Sequence, residues 1–224
     1  MTLNLLGLIF KSMSYPFPEI LESAFVDGTR VKQYEYELRF SLLEMGKIKI
    51  PSGYVIACDP IVMYGRDEFT QKFPIGQFPV QLSIVKINNA NERVAYSRIK
   101  FSDNDVVRWE FALCPGQDAL PINGGKSYCF SVDAGLAVFI DKEAKDVFNK
   151  KEHSEWEKVF IDKRLDNQQL YREYYMHEFD GFNMAAFETG VGDGCYSTYI
   201  GYDAQGLPCR LLADFAFVNW LEEK

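Results

Sequence analysis

Short alternating and apolar runs separated by turn residues dominate the chain. Over residues 31–40, Tyr34, Tyr36 and Leu38 alternate with Glu35, Glu37 and Arg39, the pattern of a half-buried strand, and residues 47–50 alternate likewise. Residues 54–57 form an apolar run bounded by Gly53 and Asp59-Pro60, which predicts a buried strand. Residues 78–87 and 93–101 flank the turn-forming cluster Asn88-Asn89-Ala90-Asn91 and predict a β-hairpin. Trp109, Phe111 and Leu113 alternate with Glu110 and Ala112 before a turn at Pro115-Gly116. Tyr128, Phe130 and Val132 lead into Asp133-Ala134-Gly135, and residues 196–202 and 210–218 flank a turn at Asp203-Ala204-Gln205-Gly206.

Helical spacing is confined to two places. Pro18 opens a short helix through about Phe25, stopped by Asp27-Gly28. Residues 142–178 read as a helical insert. Asp141 is its N-cap, and Ala144, Val147 and Phe148, then Trp156, Val159 and Phe160, recur among lysines and glutamates, with Tyr171, Tyr174 and Tyr175 continuing the pattern.

Two stretches resemble each other. Gly53 is followed six positions later by Asp59, and Gly135 six positions later by Asp141. A glycine two residues before an aromatic follows in each (Gly76 and Phe78, Gly194 and Tyr196), then an apolar-rich run ending in Phe101 or Phe215. The halves differ in length between aspartate and glycine, 17 positions against 53, and the extra segment is the helical insert. No low-complexity linker divides them. The expectation is a mainly β (α+β) protein forming one compact domain, residues 1–224. It is built as a duplicated antiparallel fold, β-sandwich-like or a partly closed barrel, with halves at about 47–118 and 126–218.

Composition narrows the function classes. Hydrophobic content of 47% and aromatic content of 15% support a sizeable core. A net charge of -8 argues against nucleic acid, whose binders need a basic face, and against anionic membrane surfaces. It suits a basic protein partner. The apolar N-terminal segment, residues 1–10, is interrupted by Lys11 and too short to span a bilayer. Cys58, Cys114, Cys129, Cys195 and Cys209 are odd in number and lack Cys-x-x-Cys spacing, so they read as thiols, mostly buried, in a reducing cytoplasm. His153 and His177 lie in the charged insert away from the cysteines, read as solvated surface histidines. No zinc or other metal site and no cofactor is expected.

The sharpest local feature is Thr189-Gly190-Val191-Gly192-Asp193-Gly194-Cys195-Tyr196. Its glycines free the backbone to approach a ligand, but it lacks the lysine of a P-loop and the helix of a dinucleotide fingerprint. A tight turn is the simpler reading. Asp133, Asp193 and Asp214, if convergent, would hold a hard cation and activate water, with Tyr196 as a substrate contact. Asp59 and Asp141 read instead as strand terminators and Asp203 as a turn opener. No catalytic residue is assigned, and the candidate binding residues are Asp133, Asp193, Tyr196 and Asp214.

Pro51-Ser52-Gly53 through Ala57-Cys58-Asp59-Pro60, residues 109–118, Val132-Asp133-Ala134-Gly135 and residues 189–203 together resemble the bacterial family called domain of unknown function 4241. The similarity covers about residues 25–218. Ser197 stands where many relatives are expected to carry proline, in what reads as a turn. The resemblance implies a bacterial, cytoplasmic protein and carries over no catalytic residues. The leading expectation is a non-enzymatic protein-binding module, such as an immunity protein that neutralises a basic toxin domain. The alternative is a metal-assisted hydrolase or phosphoesterase at Gly192-Asp193-Gly194.

Overall fold

The computed structural model describes residues 18–88, 91–150 and 174–220. The first helix, α1 (Ile20–Ser23), precedes β1 (Arg30–Gln33), β2 (Tyr36–Ile50) and β3 (Val55–Cys58). A 3-10 turn (Pro60–Gly65) leads to β4 (Gly76–Ile87), β5 (Asn91–Lys100) and β6 (Arg108–Phe111). Then come β7 (Phe130–Val132), β8 (Leu136–Asp141), α2 (Lys142–Phe148), β9 (Tyr174–Phe179), β10 (Phe182–Glu188), β11 (Gly194–Tyr202) and β12 (Pro208–Asp214). The fold is mainly β. An eight-stranded antiparallel sheet in the order β1-β2-β4-β5-β12-β11-β6, with β7 also on β11, curls over a four-stranded sheet, β3-β8-β10-β9.

Three apolar layers hold the sheets. Between them, Ile48, Val80, Leu82, Ile99, Ile200 and Leu211 of the large sheet meet Val55, Ala57, Ala137, Phe139, Ala185 and Phe187 of the small one. The outer face of the large sheet (Phe40, Val85, Tyr96, Tyr199, Leu212) is covered by Leu21, Ala24 and Phe25 around α1. Glu22 fixes that helix by accepting from two buried arginines of the sheet, Arg98 at 2.9 Å and Arg210 at 3.2 Å. The outer face of the small sheet (Ile56, Val138, Ile140, Met184) is covered by Ala144 and Phe148 of α2 and by Met63. Strands buried on both faces have no reason to alternate, which is why residues 55–58 and 136–140 are continuous apolar runs.

Matched positions of the two similar stretches take matched registers. Ala57 and Phe139, each two residues before its aspartate, pair with each other across β3 and β8. Arg98 and Leu212, each three residues before the closing phenylalanine, pair across β5 and β12. Ile50 opposes Gly76 in one half, and Val132 opposes Gly194 in the other.

The structure corrects several expectations. Residues 31–40 are two strands, not one. Tyr34 takes φ 53 and, with Glu35, forms a two-residue turn that pairs Gln33 with Tyr36, leaving both tyrosines exposed. The helical reading of residues 142–178 holds for α2, whereas residues 151–173 lie outside the described ones. Tyr174 and Tyr175 belong to strand β9 instead. Asp180 (φ 46) and Gly181 (φ 83) turn β9, an edge strand of the small sheet, back into β10, whose other partner is β8. His177 is therefore not a solvated surface residue; its ring stacks on Phe179 and meets Phe148 edge-on. Ser197 lies within β11, opposite Asp214, rather than in a turn. Among the described residues no helix is long and apolar enough to cross a membrane.

Candidate functional site

The aspartates recurring in the two similar stretches are structural, and each serves the opposite half. Asp59 is buried; its Oδ1 accepts from the Ile61 N–H at 2.8 Å, capping the 3-10 turn. Its Oδ2 accepts from the N–H groups of Asp133 and Ala134 at 2.8 and 2.9 Å. Asp141 mirrors this. Its Oδ1 caps α2 through the Glu143 N–H at 2.8 Å, and its Oδ2 accepts from the Ser52 N–H at 3.1 Å and the Ser52 hydroxyl at 2.7 Å. Burial holds the Asp141 carboxyl above the ordinary range despite these bonds. Each carboxylate thus satisfies amide donors of the turn that opens the other glycine-to-aspartate stretch. Asp203 holds its turn by accepting from the Gln205 and Leu207 N–H groups at 3.0 and 2.9 Å.

The candidate residues fall in two places. The last register pair of β7 and β11 is Val132 with Gly194, and the next residues outward are Asp133 and Asp193. Both are exposed, beside Val191, which is 61% exposed. Asp214 is not with them. It lies on the outer face of the large sheet, where its Oδ1 accepts from the Ala216 N–H and its Oδ2 from the Trp220 indole N–H, both at 2.8 Å. Tyr196 is buried among Phe130 and Phe215, and its hydroxyl donates to the Gly192 carbonyl at 2.7 Å. The Thr189 hydroxyl donates to the same oxygen at 2.6 Å. The glycine-rich loop is therefore a turn held by two hydroxyls. Gly190, at φ +61, is required there because a Cβ would overlap the Val94 carbonyl.

Burial pushes the Asp214 carboxyl up to about 6, and its two donors only partly offset this. The folded state therefore holds a proton on Asp214 that the unfolded chain releases near pH 4. The resulting stabilisation is complete below that pH and is lost as pH rises to about 6. The amount is on the order of 2–3 kcal/mol. The wild-type stability minus that of Asp214→Asn, from urea midpoints at pH 4.5 and 6.5, should fall accordingly. Parallel profiles would show that Asp214 does not titrate in this window.

The cysteines require a correction. Cys129 and Cys195, expected as buried thiols, are exposed and joined in a disulfide, with Cα atoms 5.4 Å apart. Cys58, Cys114 and Cys209 are free. Burial pushes Cys58 up to about 12 and raises the other two above the usual thiol value, so none is primed as a nucleophile. Among the described residues no three metal-ligating side chains gather.

The chain belongs to the family described as Protein of unknown function (DUF4241), whose model matches residues 48–213. The match spans both glycine-to-aspartate stretches and all but the last residue of β12. No curated protein and no solved structure matches the chain.

Proposed function

We propose that this chain is a non-enzymatic protein-binding module of the toxin-neutralising kind, acting in the bacterial cytoplasm on a basic partner. The observation that carries the reading is the juxtaposition of Asp133 and Asp193, exposed at the shared end of β7 and β11 on a chain of net charge -8. Neither carboxylate forms an ion pair among the described residues. Adjacent exposed acids beside an apolar tip steer and dock a cationic surface. The matched registers support reading the two halves as repeats, which leaves their glycines and buried aspartates to the scaffold.

The test compares wild type with the double variant Asp133→Lys, Asp193→Lys, each immobilised and exposed to host lysate at low salt. Wild type should retain a basic protein that is toxic when expressed alone and harmless when co-expressed with this chain. The double variant should recover at least tenfold less of it. Recovery of the same proteins by both chains, with no rescue, would overturn the reading.

The second reading is a metal-assisted hydrolase or phosphoesterase at Gly192-Asp193-Gly194, supported by the same pair of acids. It loses Asp214, which serves Trp220, and Tyr196, whose hydroxyl serves the loop. Magnesium-dependent cleavage of a chromogenic phosphodiester, abolished by Asp193→Ala at unchanged urea midpoint, would favour it over the binding module.

A further inference from the structure

The two ends of the large sheet are built differently, and the difference opens a cleft. On one side a single strand, β2, runs along β4 from Leu38 to Ile50, interrupted only by a bulge between Glu44 and Gly46. On the other side the place of β2 is taken by two short strands. β7 pairs with β11 at residues 194–196 and β6 pairs at residues 199–202. Between them the chain leaves the sheet after the Ala112 N–H donates to the Thr198 carbonyl at 2.8 Å. The seam is a cavity of about 280 Å³, lined by residues that include Thr198, Arg66, Gln117, Phe69 and Phe130.

Thr198 shares the inward face of β11 with Tyr196 and Ile200, both members of the inter-sheet core. It is 4% exposed, lines the cavity, and its hydroxyl has no hydrogen-bond partner. A buried hydroxyl left unpaired costs on the order of 1–3 kcal/mol, so its presence needs an explanation beyond packing. Two further donors line the same space. The Gln117 side-chain carbonyl is committed to the Cys114 N–H at 2.8 Å, which leaves its amide N–H groups. The Arg66 backbone is fixed, its N–H donating to Met63 and its carbonyl accepting from Lys145 at 2.6 Å, while its guanidinium forms no ion pair among the described residues. Asp67 is the one acid in the lining and is exposed; backbone extended at Arg66 sends successive side chains apart, and no bond joins the two. Among the other lining residues, Phe69 and Phe130 are buried aromatics of the inter-sheet core.

We propose that this cleft binds a small organic anion, its carboxylate or phosphate head held by Arg66 and Gln117, its body packed on Phe69 and Phe130, and a polar atom paired with Thr198. A guanidinium matches both heads in bidentate geometry. The volume lies at the lower limit of drug-sized sites, which restricts the occupant to a small metabolite. This site stands whether or not a basic protein docks at Asp133 and Asp193.

The test is calorimetric titration of the whole chain with hexanoate, benzoate and inorganic phosphate, and with benzamide as the uncharged counterpart, at millimolar concentrations. At least one anion should bind saturably and benzamide should not. Arg66→Gln and Thr198→Val should each weaken that binding at least tenfold. Thr198→Val should do so while leaving the thermal midpoint of the free protein unchanged or higher, because an isosteric methyl removes the unpaired hydroxyl. A purely structural Thr198 would move stability and not affinity. Binding of phosphate alone, with the same sensitivity to both variants, identifies the head as a phosphate. No saturable binding by any anion, or binding equal in wild type and both variants, overturns the proposal.

Discussion

Replacing Asp59 by alanine should destabilise the protein by on the order of 3–4 kcal/mol, measured as a shift in urea midpoint at constant slope. Three backbone N–H groups, of Ile61, Asp133 and Ala134, lose a charged acceptor at once. Hydrogen bonds to charged groups contribute about 1.5–3 kcal/mol each, and three on one carboxylate add up to less than their sum. Asp59→Asn should fall roughly midway, since an amide oxygen replaces one acceptor and its NH₂ opposes the other donors. Asp141→Ala should match the alanine variant at Asp59, because it loses the same kind of bonds to Ser52 and Glu143. A loss below about 1 kcal/mol at both positions would mean that water replaces the carboxylates and that they hold nothing together.

The second large effect concerns the disulfide. It closes a loop across a sequence separation of 66. On the loop-entropy scale that constraint is worth about 4 kcal/mol, an upper figure, since the reduced unfolded chain retains some structure. Cys195→Ser, or reduction of the wild type, should therefore lower the thermal midpoint by on the order of 10 °C for a chain of this size. Peptide mapping without reductant should recover the Cys129 and Cys195 peptides linked. Both cysteines are exposed, so a reducing compartment opens the bond and an oxidising one closes it. An unchanged midpoint on reduction would show that the pairing of β7 with β11 holds without the link.

How much of this was legible in the sequence follows from what each feature depends on. Continuous apolar runs at residues 55–58 and 136–140 report burial on both faces, so those strands were readable. The hairpin of β4 and β5 was announced by its asparagines. The hairpin of β9 and β10 carried an equally good signal in Asp180-Gly181, which the helical reading of the preceding tyrosines masked. Tyr34 gave no turn signal at all, since its positive φ is imposed by pairing of β1 with β2 rather than by residue type. Asp133 and Asp193 were identifiable as acids near glycines, and only the register of β7 on β11 brings them side by side. Asp214 was grouped with them by residue type alone, whereas strand alternation sends it to the opposite face. Cys129 and Cys195 were unpairable from spacing, because bonding depends on distance in the sheet. Thr198 was invisible for a different reason: a threonine in a strand is unremarkable until its hydroxyl is found without a partner.

The crossed carboxylates have a consequence for how the chain can be cut. Severed in the loop between β6 and β7, it would yield two fragments. Each would carry a glycine turn without its acceptor and an aspartate without its donors from the other half. Neither fragment could finish itself, yet mixed together they would restore every clasp in trans, along with the β3–β8 and β5–β12 seams. That is the bonding pattern two like subunits adopt across a two-fold axis, here drawn inside one polypeptide.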